Sequence, residues 1–331
     1  MNQIKWLLVG AGDIAQKRVA PALAGVKDSK LAAVCDVRRE QAEKLAGQFN
    51  AEIYTDLDKA LAAPVDAVYL ATPVALHVPH VVQALEAGKH VLVEKPMGLN
   101  MADCQRAVDA ARRSGKTAGC AYFRRLFPRY LETKRMLTAG EFGQVVLVRM
   151  VYFSWFAPAV NDAKYWRVVR AKSGGGPLSD MGTHMFDVLI GLFGLPCSVY
   201  AHCVNQVHQW DVEDAAAILM TLRNGAQVTA SFGWNSKTWR HEFEIVGTEA
   251  KIDWLPYDSG PAIKTVGRET TNLDLPSAAN VHLPLIEDFI NAVQEHRPFV
   301  CDLAEAAKTN LLLDAIYQSA REKREIVLNN M

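Results

Sequence analysis

A chain of 331 residues with 36 basic and 36 acidic side chains carries no formal net charge, and half of its residues are apolar. That balance excludes the cationic surface that nucleic acid or an anionic membrane selects, and the length predicts two domains of ordinary size. The first residues, Met1-Asn2-Gln3-Ile4-Lys5, run into an apolar stretch without the layout of a signal peptide, and no apolar run has the length of a membrane span. Six scattered cysteines lack a C-x-x-C pair and suit reduced thiols, so a soluble, cytoplasmic protein is expected.

The first strand, Lys5–Gly10, leads into Gly10-Ala11-Gly12-Asp13-Ile14-Ala15. This is a G-x-G-x-x-A turn: Gly10 permits the tight bend, Gly12 admits a pyrophosphate close to the backbone, and Ala15 lets the next helix (Ile14–Leu23) pack on the strand. A second strand, 31–35, ends in Asp36, 24 residues after Gly12, where a carboxylate can accept from an adenosine ribose. That favours NAD, while Arg38 and Arg39 keep NADP open through pairing with a 2′-phosphate. Helix and strand then alternate: helix 40–49, strand 66–71, helix 76–87, strand 90–94, helix 101–113, strand 117–122. The rotation predicts a parallel sheet wound on both faces, with Gly10–Gly12, Thr72-Pro73 and Lys95 at one end of it. Lys95 follows an apolar strand and precedes Pro96, which places an ammonium at the mouth of the sheet. His77 and His80 have helical spacing without a second ligand pair, so no metal is expected.

After Arg124-Arg125 the rhythm changes. A helix over 128–139 precedes a strand at 145–153, and two hairpins follow, 214–222 with 226–234 around Asn224-Gly225, and 242–246 with 250–254 around Gly247-Thr248. Late helices are expected at 281–296 and 302–321. The second half therefore reads as α+β with a large, open, mostly antiparallel sheet. Its face bearing Ile218, Met220, Val228, Phe232 and Phe243 is expected under a helix, and the other face under a second copy of the chain. The expected domains are 1–123 and 124–331. Between strand and hairpins lies Tyr165-Trp166-Arg167, then Ser173-Gly174-Gly175-Gly176-Pro177, then Asp180, His184 and Asp187. The glycines predict a loop with no side chains to block a ligand, and the three polar residues share one face of a helix running to about Phe193.

These stretches together resemble the glucose–fructose oxidoreductase, inositol dehydrogenase and rhizopine-catabolism family (Gfo/Idh/MocA). The resemblance rests on GAGDIA at 10–15, ATPVALH at 71–77, VEKP at 93–96, YFRRLFP at 122–128 and WR…GGGPLSDMGTHMFD at 166–187. It implies a Rossmann domain followed by an α/β domain with a large open sheet. It implies cofactor contacts from Gly10, Gly12, Asp13, Ile14, Asp36, Thr72, Pro73, His77, Glu94 and Lys95, and a catalytic set of Lys95, Asp180 and His184. Arg167 and Tyr122 align with positions that face the nicotinamide or the substrate.

The reaction expected on that footing is reversible oxidation of a secondary alcohol on a sugar, sugar derivative or cyclitol, with NAD or NADP, by a homodimer or homotetramer. His184 would move the proton, Lys95 would polarise the oxygen, and Asp180 would hold the hydroxyl or orient the imidazole. Trp155, Phe156 and Tyr165 could wall a pyranose ring. Two alternatives stay open: the same fold acting on trans-dihydrodiols or anhydro-sugars, and an NAD(P)-binding sensor without turnover.

Overall fold

Ile4–Val9 (β1) is buried at every position except Lys5, the pattern of a central strand covered on both faces. The structure is a computed structural model and describes residues 3–328, so Met1, Asn2 and the last residues of the second expected domain lie outside it. Five more strands join β1: Ser29–Cys35 (β2), Glu52–Tyr54 (β3), Ala67–Leu70 (β4), His90–Val93 (β5) and Ala118–Cys120 (β6). The sheet is parallel throughout, in the order β3-β2-β1-β4-β5-β6. This is the doubly wound Rossmann arrangement, whose order reverses between β1 and β4. The helix Met101–Ser114 illustrates how its helices are bounded. The Asn100 side chain accepts from the Asp103 N–H at 2.8 Å, and Gly115 ends the helix at φ +64°. The sequence reading missed β3 and the helix Leu57–Leu61, both too short to carry a periodicity.

Described residues up to Phe123 group with 278–307, and Arg124–Ser277 group with the residues from Lys308 onward. The return of 278–307 to the first unit departs from a second domain drawn over 124–331, and its cause is apolar. In the helix Leu283–Glu295, Leu285, Ile286, Phe289 and Ile290 are buried, and the Phe289 ring lies 5.3 Å from Trp6. Each such side chain contributes about 1.5–3 kcal/mol when withdrawn from water.

The second unit carries a nine-stranded sheet, ordered β14-β13-β12-β11-β7-β10-β9-β8-β15. Its strands are Val145–Trp155 (β7), Ser198–Val204 (β8), Ala215–Thr221 (β9), Gln227–Gly233 (β10), Asn235–Gly247 (β11), Ala250–Trp254 (β12), Ala262–Val266 (β13), Glu269–Leu273 (β14) and Ile326–Val327 (β15). Among the described residues only β7 with β10 runs parallel in this sheet. Ile218, Met220, Val228, Phe232 and Phe243 are all buried, and Phe186 of the helix Thr183–Phe193 meets Phe232 edge-on at 5.3 Å. On the opposite face Leu219 and Tyr200 are exposed. Arg149, Glu244, Lys251 and Asp253 form a chain of ion pairs there, from 2.8 to 3.2 Å.

Candidate active site

The turn after β1 is built for a guest. A Cβ on Gly10, which has φ +93°, would lie 2.6 Å from the Ala71 carbonyl, so only glycine lets β1 turn beside the end of β4. A Cβ on Gly12 would meet no atom within 4 Å. The protein therefore leaves open the space that the missing side chain would fill, as a pyrophosphate on the backbone requires. Helix begins at 13, and its first internal bond joins the Gln16 N–H to the Gly12 carbonyl at 3.0 Å. The leading N–H groups lie ahead of that bond, at the positive end of the helix. Ile14 and the Asp13 side chain are exposed at this turn, with Lys17 2.6 Å from Asp13.

Two further observations fit NAD. Asp36 is buried, and each carboxylate oxygen holds one backbone donor at 2.8 Å, Ala11 N–H on Oδ2 and Arg38 N–H on Oδ1. Oδ1 also accepts a long bond from Arg38 Nε at 3.4 Å, so the lone pair that remains for a ribose hydroxyl is on Oδ2. The Arg38 guanidinium stands 3.4 Å from Asp36 and is mostly exposed. At the neighbouring loop the Thr72 hydroxyl is buried without a hydrogen-bond partner among the described residues, beside the Pro73 bend, an orphan donor of the kind a ligand satisfies.

Two residues expected to touch the cofactor make their side-chain contacts inside the protein. His77 is 1 % exposed, with Nδ1 2.8 Å from the Pro96 carbonyl and Nε2 2.7 Å from the Thr72 carbonyl. Burial lowers its pKa, and the neutral ring has one N–H to donate to one of these two carbonyls, which lie on either side of it. Glu94 is also buried: Oε1 accepts from Tyr69 Oη at 2.8 Å and faces His282 Nε2 at 3.3 Å, and Oε2 accepts the Lys95 N–H at 3.3 Å. Burial pushes its carboxyl up, but the bonds from His282 and Tyr69 and the Lys95 charge outweigh it and hold the pKa low. Lys95 itself is half-buried, and its bond to Pro96 is cis.

In the second unit the glycine loop serves packing. A Cβ on Gly175 would collide with the Tyr317 hydroxyl, and one on Gly176 with the Glu213 carbonyl. The buried Glu213 binds this loop, its Oε1 accepting from Gly176 N–H (3.0 Å), Leu178 N–H (3.3 Å) and Tyr317 Oη (2.9 Å). The loop expected to leave no side chains in a ligand's way is, on the side its glycines leave bare, pressed against Glu213 and Tyr317.

Directly after it, Leu178–Gly182 forms a π-helical turn carrying Asp180, and Thr183–Phe193 continues as α-helix. The wider turn breaks the single polar face expected for Asp180, His184 and Asp187. Asp187 is locked by Arg125, with contacts of 2.8, 2.9 and 3.1 Å and both side chains buried. Asp180 stays a quarter exposed, its Oδ2 3.2 Å from Arg167 Nη1. His184 is 5 % exposed, and its carbonyl accepts from Tyr257 Oη at 3.1 Å. Tyr257 in turn lies beneath Arg124, which is paired with Asp258 at 2.5 and 2.6 Å. Sequence reasoning took Arg124-Arg125 as a boundary, yet both are buried, and Tyr257 and Asp258 carried no motif at all. Tyr152 was also missed, because it reads as one aromatic in an apolar strand. Burial raises its pKa first, and the Asp180 charge raises it further.

Of the expected substrate wall, Trp155 is 45 % exposed, 5.1 Å from the His208 ring and 5.2 Å beneath Lys237 Nζ. Tyr165 is partly buried against Val168, Val212 and Trp234, together with Phe156 and Trp210. Tyr122 is fully buried.

A family model described as an oxidoreductase family with an NAD-binding Rossmann fold matches residues 4–122, and a GFO/IDH/MocA C-terminal domain model matches 130–253. D-glucoside 3-dehydrogenase of Escherichia coli is 28 % identical over 99 % of this chain and 98 % of its own. Oxidoreductase P35 of Formosa agariphila is 27 % identical over 95 % and 98 %. A solved structure of the WlbA dehydrogenase from Bordetella pertussis, in complex with NADH and UDP-GlcNAcA, is 25 % identical with a TM-score of 0.86 and covers both chains entirely. The turn, the switch point and the two domain matches converge: the chain belongs to the Gfo/Idh/MocA family of oxidoreductases with an NAD-binding Rossmann fold.

Proposed function

We propose that the chain oxidises a secondary alcohol of a sugar or sugar derivative, reversibly and with NAD. When bound, NAD supplies the nicotinamide carbon that accepts and returns the hydride. Gly10, Gly12 and the helix from Asp13 and Ile14 receive the pyrophosphate, Asp36 the ribose, and Thr72 donates its hydroxyl. His184 takes the alcohol proton as general base and returns it in the reverse direction. Lys95 offers an ammonium to the oxygen as negative charge develops on it. Asp180, held by Arg167, fixes the substrate hydroxyl, and Trp155 presents an exposed ring to the sugar.

The observation that carries the reading is Gly12, whose missing side chain leaves room that no protein atom uses. Support for a sugar comes from the full-length similarity to a D-glucoside 3-dehydrogenase. The test is reduced-cofactor absorbance with NAD or NADP against methyl glucosides, free aldoses, inositols, an anhydro-sugar and a trans-dihydrodiol. NAD reduction on a pyranoside or cyclitol is expected. Tight NADH binding with no turnover on any alcohol would favour the sensor instead, and turnover confined to the dihydrodiol would move the substrate class.

A homodimer or homotetramer through the exposed sheet face belongs to the same proposal. Leu219 and Tyr200 stand exposed there beside paired charges, and a second copy of the chain would cover both. Light scattering on Leu219→Glu should report a smaller species than the parent protein.

A further inference from the structure

The Glu94 carboxylate sits one residue from Lys95, and its partners come from three separated stretches. Tyr69 reaches it from β4, and the Lys95 backbone N–H from the next residue. His282, 188 positions away in sequence, reaches it from the loop before Leu283–Glu295. That loop is fastened at its base. Asn280 donates to the Arg18 carbonyl at 2.8 Å, Arg18 donates to the Ala279 carbonyl at 3.1 Å, and Asn280 accepts the His282 N–H at 3.1 Å. The His282 ring is 1 % exposed and packs 5.0 Å from Phe123. Its Nδ1 is buried without a hydrogen-bond partner among the described residues. In this geometry Nε2 meets Glu94, which as a carboxylate takes the ring's N–H, with Phe123 packed beside the ring.

We infer that His282 is a positioning residue for Lys95, acting through Glu94. A buried carboxylate must be held by donors, and whatever holds it here fixes the backbone from which the Lys95 side chain departs. With the His282 donor removed, Glu94 keeps Tyr69 alone as a side-chain donor and is free to turn away from the Lys95 N–H. The lysine then loses its fixed departure point. The inference rests on Lys95 acting in the reaction proposed above, and it extends that reading to a residue outside every motif of the sequence.

The test uses the full chain as His282→Leu, His282→Gln, Glu94→Gln and the double variant H282L/E94Q. The first readout needs no substrate: brief acylation with acetic anhydride, with Lys95 modification read by peptide mass spectrometry against the exposed Lys59. His282→Leu should acylate Lys95 roughly threefold faster, and the double variant should match Glu94→Gln, because residues acting as one unit are not additive. His282→Gln, which keeps an N–H donor, should behave as the parent. The second readout is steady-state turnover on the sugar oxidised fastest in the panel. There His282→Leu should lower kcat by about tenfold or more with KM for NAD unchanged, as misplacement of one reacting group does, and His282→Gln should restore it. Should His282→Leu fail to fold, His282→Asn, too short to reach Glu94, carries the same expectations. Parent-like acylation of Lys95 in the donor-less variants, or effects that add to those of Glu94→Gln, would overturn the inference. If no sugar is oxidised by the parent protein, the functional reading fails while the acylation cycle still decides the role of His282.

Discussion

Asp180 and Asp187 belong to one helical run, and their surroundings separate them. Asp187 is wholly inside and gripped by Arg125; Asp180 keeps a quarter of its surface and meets Arg167 at 3.2 Å. Removing one member of a buried pair strands the other charge, so Asp187→Ala should cost about 3–5 kcal/mol in urea denaturation. Asp180→Asn should leave the denaturation midpoint near the parent value and appear as lost turnover. Two buried glutamates differ in the same way. Tyr69 and His282 hold the Glu94 carboxyl below its ordinary value, so its share of stability is present above the unfolded-state pKa and lost as pH falls through the folded one. Burial of Glu213 outweighs its hydrogen bonds and raises its pKa, so the folded state favours the protonated form. Stability from that group is present below the unfolded-state value and lost as pH rises through the folded one. Glu213→Gln keeps the acceptor for Gly176, Leu178 and Tyr317, and should remove that loss from a pH series of thermal unfolding curves.

At the scale of elements, the most misleading signal in the sequence was the glycine run. Three glycines predict a ligand loop, and Gly12 fulfils that logic while Gly175 and Gly176 do not: composition states that space is needed but not what fills it. Gly175→Ala would drive a methyl into the Tyr317 hydroxyl, so the loop must shift and carry the Asp180 turn with it. The expected outcome is a large loss of turnover that Tyr317→Phe, by removing the obstructing oxygen, partly relieves in the double variant. The Asn224-Gly225 hairpin formed where the pair predicts it, yet Gly225 alone has positive φ, +87°. The turn closes through Gly225 N–H to the Leu222 carbonyl at 2.9 Å, a bend followed by a left-handed glycine in place of a two-residue primed turn.

Across the whole molecule, the alternating elements of the first half were legible because strands buried on both faces are continuously apolar, and because a helix such as Met101–Ser114 is bounded by Asn100 and Gly115. The glycine turn, Asp36, Thr72 and Lys95 were legible because the strand ends fix where they stand. What no local pattern could reveal is what folds back: residues 278–307 rejoining the first unit, His282 meeting Glu94, and Tyr257 holding the His184 carbonyl. Each of these is a contact of long sequence separation, made by a residue type that is ordinary where it stands. The molecule should also be acid-sensitive through its histidines. Burial pushes His90 and His241 down to about 4, so both stay neutral in the folded state at pH values where an unfolded histidine is charged. Stability is therefore expected to fall as pH drops from about 6.5 towards 4, and urea midpoints of His241→Gln should fall less steeply over that window.

The central claim is NAD-linked oxidation of a secondary alcohol group of a sugar, with His184 moving the proton. Initial rates of NAD reduction by the parent protein and His184→Asn, on the sugar oxidised fastest in the panel, test it most directly. The account predicts a loss of about 10²–10⁴-fold in kcat for the variant, with NADH affinity unchanged. Parent-like turnover by His184→Asn would contradict it.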